Sequence, residues 1–400
     1  MRPSVAGPAP GGSAVPGAAG LWTGTWAAAP AAGEPGTRRG LAGWSIRNVV
    51  HTTAGGTRVR IQLSNAFGSG PLLITHASIS VARPGSGPAA VPGTVLRLTF
   101  RRATAVTIPA GQSAVSDDVP LAVPADRDLL VTTYSPRPSG SVTYHPRARQ
   151  TGYAALGDHA ADASGAAYTE KVPYWRYLTG VDVLSTWARG SVAVIGDSLT
   201  AGTSSTPGAN HRWTDFLARR LRTEPGAPRY GVLNLGLSGN QLLRDGARSG
   251  QRALTRLDRD VLDRAGVRSV VVQLGVNDIL RPPHQTDPAR IAAALRALTA
   301  AAHERGLRVT GATLMPFAGH RRHTPELERV RAEVNRLVRA GGVFDEVVDF
   351  DRAVRDPLRP DRLLPAYDSG DHLHPSDAGY RAMARAVGLE QLRGTTRPQT

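Results

Sequence analysis

Val192-Ala193-Val194-Ile195-Gly196-Asp197-Ser198-Leu199 decides the reading of this 400-residue chain. Four apolar, mostly β-branched residues read as a strand buried on both faces, and Gly196-Asp197 then turns the chain sharply. A serine at the carboxyl end of such a strand stands above the sheet. The helix beneath it aims its first N–H groups at any negative charge that develops there. Working outward, three further blocks follow in order, each after a strand-like run or in a late loop. They are Asn234-Leu235-Gly236-Leu237-Ser238-Gly239-Asn240, Gly275-Val276-Asn277-Asp278 and Asp371-His372-Leu373-His374-Pro375.

These four blocks, in this order, resemble those of the SGNH (GDSL-type) hydrolase family, over about residues 191–389. Carried over position by position, the resemblance implies that Ser198 is the nucleophile. It implies an oxyanion hole built from the N–H groups of Ser198 and Gly239 and the side-chain amide of Asn277. His374 is then the base, Asp371 its orienting carboxylate, and the chemistry is free of metal and cofactor. The residue types make chemical sense. A hydroxyl is a weak nucleophile until a base takes its proton, and imidazole is well matched to that task near neutral pH. A nearby carboxylate sets the imidazole tautomer and stabilises its cation. The pattern differs from the α/β-hydrolase elbow, Gly-x-Ser-x-Gly, because Thr200 replaces the second glycine and acid and base share one loop.

Taken singly, each block has a plainer reading. Ser198 suits a helix N-cap, Gly239 a turn with positive φ, and Asn277-Asp278 an Asx turn or cap. Asp371, His372 and His374 hint at a metal site, but no other His or Cys cluster completes a ligand set. His372 reads as a loop residue lining the pocket, not as the base.

Around the motifs, strand and helix patterns alternate. Strands are expected at 192–195, 231–235, 269–274, 308–314 and 344–350, and helices at 213–222, 251–264, 288–305, 325–340 and 376–387. Trp213, Phe216, Leu217 and Leu221 recur at helical spacing, and Pro288 and Pro325 suit helix starts. The expectation is an α/β fold: a doubly wound, parallel, five-stranded, flavodoxin-like sheet with its site at the strands' carboxyl ends. Loops 203–212, 280–287 and 316–324 are expected to form much of the rim.

The first half lacks a helical period. Alternating or β-branched runs at 57–63, 72–81, 94–100, 105–108, 128–134 and 141–144 are separated by turns such as Gly68-Ser69-Gly70, which suggests an all-β sandwich or jelly-roll-like domain. The expected organisation is a disordered segment at 1–20, a β-sandwich at 21–184, a linker at 185–190, the hydrolase domain at 191–392 and a disordered tail at 393–400. A subgroup of secreted SGNH hydrolases with an N-terminal β-domain is similar in layout. Tyr168, Tyr174, Trp175, Tyr177 and Trp187 are expected mainly as packing between the domains. His145 is expected at the sandwich rim, with a loop over the cleft as the alternative.

The net charge of +16 invites a nucleic-acid reading. The basic residues are almost all arginine, scattered, and without a recognised nucleic-acid motif. Arg248, Arg252, Arg256 and Arg259 recur at helical spacing opposite Leu254, Leu257 and Val261, which predicts a solvated helix face. The chain has no cysteine, so thiol catalysis and disulfides are excluded. No apolar run approaches the roughly 18 residues of a membrane span. The first twenty residues lack the charged start and apolar core of a secretory signal, so family resemblance points to export while the visible N-terminus does not.

The expected function is a serine esterase acting on small acyl esters, acetylated carbohydrates or short-chain lipid-like esters, with small-molecule or glycan ester substrates as its partners. Two alternatives stay open: an acyltransferase using the same residues, and a carbohydrate- or surface-binding protein with a vestigial hydrolase half. Oligomeric state is not readable.

Overall fold

A computed structural model describes residues 20–246 and 249–394. Nearly all of the expected disordered start, Arg248, and the last six residues of the expected tail lie outside the described residues.

The strands Gly190–Gly196, Tyr230–Gly236, Val267–Gln273, Arg308–Ala312 and Glu346–Val348 form one parallel sheet. Their spatial order is second, first, third, fourth, fifth. Every residue of Gly190–Gly196 is buried, as a central strand covered on both faces requires. The helices Trp213–Thr223, Pro288–Glu304, Pro325–Arg339 and Asp377–Ala386 flank the sheet. Pro288 and Pro325 stand in the first turns of their helices, behind side-chain caps from Asp287 and Thr324. This order has its topological switch between the first and third strands, where a doubly wound sheet opens a crevice. Ser198 follows the first of these strands and Asn277 the third.

Two elements depart from expectation. The stretch expected as a helix at 251–264 is a short α-helix, Ala253–Leu257, that widens into a π-helical turn, Asp258–Leu262. Its arginine face is solvated only in part: Arg252 is exposed, but Arg256 is fully buried, while Leu254 is 44% exposed. The guanidinium turns inward to carbonyls at the ends of two buried strands. Arg256 donates to Gly196 O at 3.0 Å and Leu235 O at 2.9 Å, and Asp260 at 3.2 Å balances its charge. Burial of this kind is sustained only when the charge is both paired and hydrogen-bonded. The last strand is also shorter than expected, because the Asp349 carboxylate caps a helix at Phe350–Val354.

The first half is antiparallel, and the described residues before Ser198 contain no helix. One sheet runs Leu21–Ala27, Leu178–Ser185, Arg58–Ser64, Ser113–Val115, and a second runs Glu170–Val172, Gly152–Leu156, Trp44–His51, Asp128–Ser135, His76–Val81, Leu96–Arg97. Ile46, Val50, Leu129 and Val131 of one sheet join Ile61, Leu63, Val181 and Val183 of the other in a shared core. The runs expected at 94–100 and 141–144 contract to Leu96–Arg97 and Tyr144–His145. The inner strand Trp44–His51 was not among the expected runs, because Arg47 and Asn48 interrupt its apolar pattern. Both are buried. Arg47 donates to Thr132 Oγ1 and to the carbonyls of Pro88 and Asp162, and its guanidinium lies 3.9 Å from the Tyr168 ring centroid.

The halves meet along Leu21–Ala27 and Tyr230–Gly236. Gly24 N donates to Ala265 O at 3.0 Å, and Ser191 Oγ to Gly24 O at 3.1 Å. The Thr53 hydroxyl donates to Thr25 O at 2.6 Å and accepts from Val232 N at 2.9 Å. The stretch expected as a linker is packed: Ser185 Oγ accepts from Trp187 N and Ala188 N, and Ala188 is buried. Arg393, expected in the tail, donates to Gly226 O at 2.5 Å.

Candidate active site

Strand Gly190–Gly196 delivers the chain into the one-turn helix Ser198–Ala201. Asp197 caps that helix by accepting from Leu199 N at 2.9 Å. The turn needs a glycine at 196, because a Cβ there would lie 2.2 Å from Thr200 Oγ1. Thr200 is itself held by Gln273, to whose Oε1 it donates at 2.9 Å. Ser198 is 7% exposed and has one open side. Burial pushes the Asp197 carboxyl up to about 7, against the N–H bond from Leu199.

The second component comes from the loop before the last helix. His374 Nδ1 lies 2.6 Å from Asp371 Oδ2, and His374 Nε2 lies 2.9 Å from Ser198 Oγ. A ring nitrogen facing a carboxylate carries the proton, so Nδ1 donates, Nε2 is the free base position, and the Ser198 hydroxyl donates to it. The other Asp371 oxygen accepts from Leu373 N at 3.0 Å and His374 N at 2.8 Å. Burial works to raise this carboxyl, but the bonds from His374 and Leu373 outweigh it and hold it well below the usual carboxylate range. Asp371 is therefore anionic whenever the ring needs a counter-charge.

Sequence reading missed what closes this loop. Asp368 Oδ1 accepts from Gly370 N at 2.9 Å and His372 N at 3.0 Å, and Ser369 N donates to His374 O. Asp368 Oδ2 also lies 2.5 Å from His372 Nδ1. His372 is thus a loop residue in a left-handed conformation, φ 62°, packed beside Gly319. The signal for Asp368 was present as an Asx pattern two residues before a glycine. Downstream, Asp377 ties the loop 203–212 to the same side of the fold, accepting from Thr206 N, Thr206 Oγ1 and a nitrogen of His211. Tyr380 OH donates to Thr203 O at 2.6 Å.

On the far side of the crevice, Gly239 sits at φ 80°, in the left-handed region. Asn277 is buried on the short helix Val276–Leu280, and its Nδ2 donates to Asp197 Oδ2 at 3.3 Å. The two blocks are bolted together by Asp278, whose carboxylate accepts from Leu242 N and Leu243 N, and by Gln241, which donates to Asn277 O. A residue not singled out from sequence completes this side. Arg281 donates from Nε to Asn277 Oδ1 at 3.1 Å, and its guanidinium lies where a Cβ on Gly239 would stand. Its spacing, four residues after Asn277 on one helical turn, was the available signal.

Other sequence expectations divide. His145 is not at a rim: it is buried, with Nδ1 2.7 Å from Ala29 O and its ring 5.2 Å from that of Trp175. The loop after it does reach the second half, since Arg212 donates to Ala148 O and Gly208 N to Arg149 O. Of the aromatic group, Trp175 bridges the halves, meeting Trp26 edge-on at 4.9 Å and the Arg212 guanidinium at 5.6 Å. Tyr168 instead packs within the antiparallel half, on Arg47.

Comparison with known proteins gives a family match and a set of structural neighbours. A model of the GDSL-like lipase/acylhydrolase family matches residues 194–382. Solved structures similar to the second half include Est24, a carbohydrate acetylesterase from Sinorhizobium meliloti, at 21% identity and TM-score 0.39, over 49% of this chain and 95% of that one. A GDSL-like lipase from Bacteroides thetaiotaomicron aligns at 18% identity and TM-score 0.36, over 49% and 84%. The acetyl xylan esterase AlAXEase aligns at 19% identity and TM-score 0.37, over 49% and 96%. No curated protein matches the chain. Residues 194–382 match the GDSL-like lipase/acylhydrolase family, which marks this part of the chain as a carboxylic ester hydrolase domain.

Proposed function

We propose that the protein hydrolyses small acyl esters, acetylated carbohydrates or short-chain lipid-like esters, through an acyl-enzyme on Ser198. The observation that carries the reading is the unbroken relay from Ser198 Oγ to His374 Nε2 at 2.9 Å and from His374 Nδ1 to Asp371 at 2.6 Å. Ser198 Oγ attacks the ester carbonyl carbon while its proton passes to Nε2. The carbonyl oxygen becomes an oxyanion, which the N–H groups of Ser198 and Gly239 and the Asn277 amide receive. Arg281 and Asp197 act through Asn277 as positioning residues: one occupies its oxygen, the other one amide hydrogen, so the second hydrogen faces the crevice. Collapse of the intermediate breaks the bond to the alcohol oxygen, which leaves with the proton from Nε2. Water then attacks the acyl-serine, gives its proton to Nε2, and the acid departs as Ser198 recovers its hydrogen.

The test is Ser198→Ala assayed on p-nitrophenyl acetate beside its thermal unfolding curve. The expected result is an unchanged unfolding midpoint with kcat lower by about 10³-fold or more. Labelling by a fluorophosphonate should vanish with the hydroxyl. A folded Ser198→Ala protein that hydrolyses the ester at the parent rate overturns the assignment.

A further inference from the structure

We propose that Arg281, Arg322 and Arg147 form an anion-binding rim over the oxyanion side of the site, which selects esters carrying a carboxylate or phosphate group on the same molecule. The proposal deepens the esterase reading and rests on it.

Three loops bring Arg322 and Arg147 within electrostatic reach of Arg281. Arg281 ends the turn that carries Asn277 and lies across Gly239. Arg322 belongs to the loop 316–324, which meets the base loop where Gly319 packs on His372. Arg147 belongs to the loop that Arg212 and Gly208 hold against residues 203–212. That loop keeps both Arg147, φ 58°, and Arg149, φ 53°, in the left-handed region, a conformation unfavourable for side chains with a Cβ. Such backbone strain persists where the surroundings impose it and gathers at functional sites.

None of these three has a paired counter-charge among the described residues. By contrast, buried Arg212 pairs with Asp215, Arg256 with Asp260, and Arg331 with Glu328 and Asp351. Among the described residues, Arg281, Arg322 and Arg147 make no ion pair. The nearby carboxylates are already engaged, Asp371 by His374 and Asp368 by His372. Asp197 lies within electrostatic reach of Arg281, but burial raises its carboxyl to about 7 and so weakens it as a counter-charge near neutrality. Burial, then the like charges of Arg322 and Arg147, destabilise the Arg281 cation and shift its pKa down. Three unneutralised cations beside a crevice raise the local potential, and an anion placed among them relieves it. Arg147 and Arg322 are exposed, so an incoming substrate meets them first, whereas half-buried Arg281 meets it at the reaction centre.

The experiment compares matched ester pairs on the full chain. p-Nitrophenyl hemisuccinate against p-nitrophenyl acetate places the charge on the acyl side. An O-acetylated galacturonate oligosaccharide against an O-acetylated xylose oligosaccharide places it on the alcohol side. The wild type should prefer the anionic member of at least one pair in kcat/KM by about threefold to tenfold, the size expected of partly exposed charge pairs. That preference should shrink in 0.5 M salt as exposed charges are screened. Arg147→Gln combined with Arg322→Gln should bring the ratio towards one, and Arg147→Lys with Arg322→Lys should keep it. A wild-type ratio of one or less in both pairs overturns the rim, as does a ratio unmoved by the double glutamine variant. If none of the four esters is hydrolysed, the esterase reading itself fails and takes this one with it.

Discussion

At the scale of single residues, the site divides its chemistry between groups that touch substrate and groups that hold them. In the proposed mechanism Asn277 belongs to the first kind. Removing one oxyanion donor lowers kcat by about 10²–10³-fold, so Asn277→Ala should do so with little change in KM, read from full saturation curves on p-nitrophenyl acetate. A purely structural role would move the unfolding midpoint instead. The residues that touch substrate were legible because nucleophilic catalysis demands particular side chains, and few types can fill each post. Those that hold them were not. Asp368, Arg281 and Asp197 serve through backbone N–H groups, an amide oxygen and a helix cap, tasks that many residue types perform at many places.

At the scale of elements, strands were legible where apolar runs are buried on both faces, and illegible where a charge was tucked inside. The segment from Ala253 to Leu262 is the sharpest case. Its arginines carry the spacing of a wet helix face, yet Arg256 turns inward and donates to the carbonyls of Gly196 and Leu235. Polarity alone does not tell a solvated guanidinium from a buried one with four acceptors around it. Replacing Arg256 by methionine removes those side-chain donors and leaves Asp260 buried with less cation. Arg259 still reaches Asp260 at 2.7 Å, so the loss should be about 3 kcal/mol, at the low end for breaking a buried pair. Denaturant unfolding of Arg256→Met measures it. Because Gly196 opens the nucleophile turn, esterase activity should fall in the same variant at temperatures below its unfolding transition.

At the scale of the whole molecule, the two halves are joined by hydrogen-bonded backbone and hydroxyl groups rather than by a loose tether, and a buried histidine, His145, stands on the first half beneath Trp175. Burial drives the His145 pKa down to about 4, and nearby Arg212 adds to the effect, against the bond to Ala29. The unfolded chain, with an ordinary histidine near 6.5, binds the extra proton between these two values, so stability falls as pH drops through that window. His145→Gln should flatten this part of the pH profile. Relative to the wild type, its stability should rise by on the order of 2 kcal/mol between pH 7 and pH 4, measured by denaturant unfolding at each pH. This burial was not legible beforehand, since a histidine between a tyrosine and a proline carries no mark of what will pack upon it. The Thr53 hydroxyl has a wider consequence. It sits between a carbonyl of one half and an amide of the other, and Gly24 packs against Leu233 with no space for a larger residue. Grafting either half onto a stranger would mismatch the graft at such points, so evolution must carry the pair as one heirloom, altered in step, instead of trading the front portion as a removable attachment.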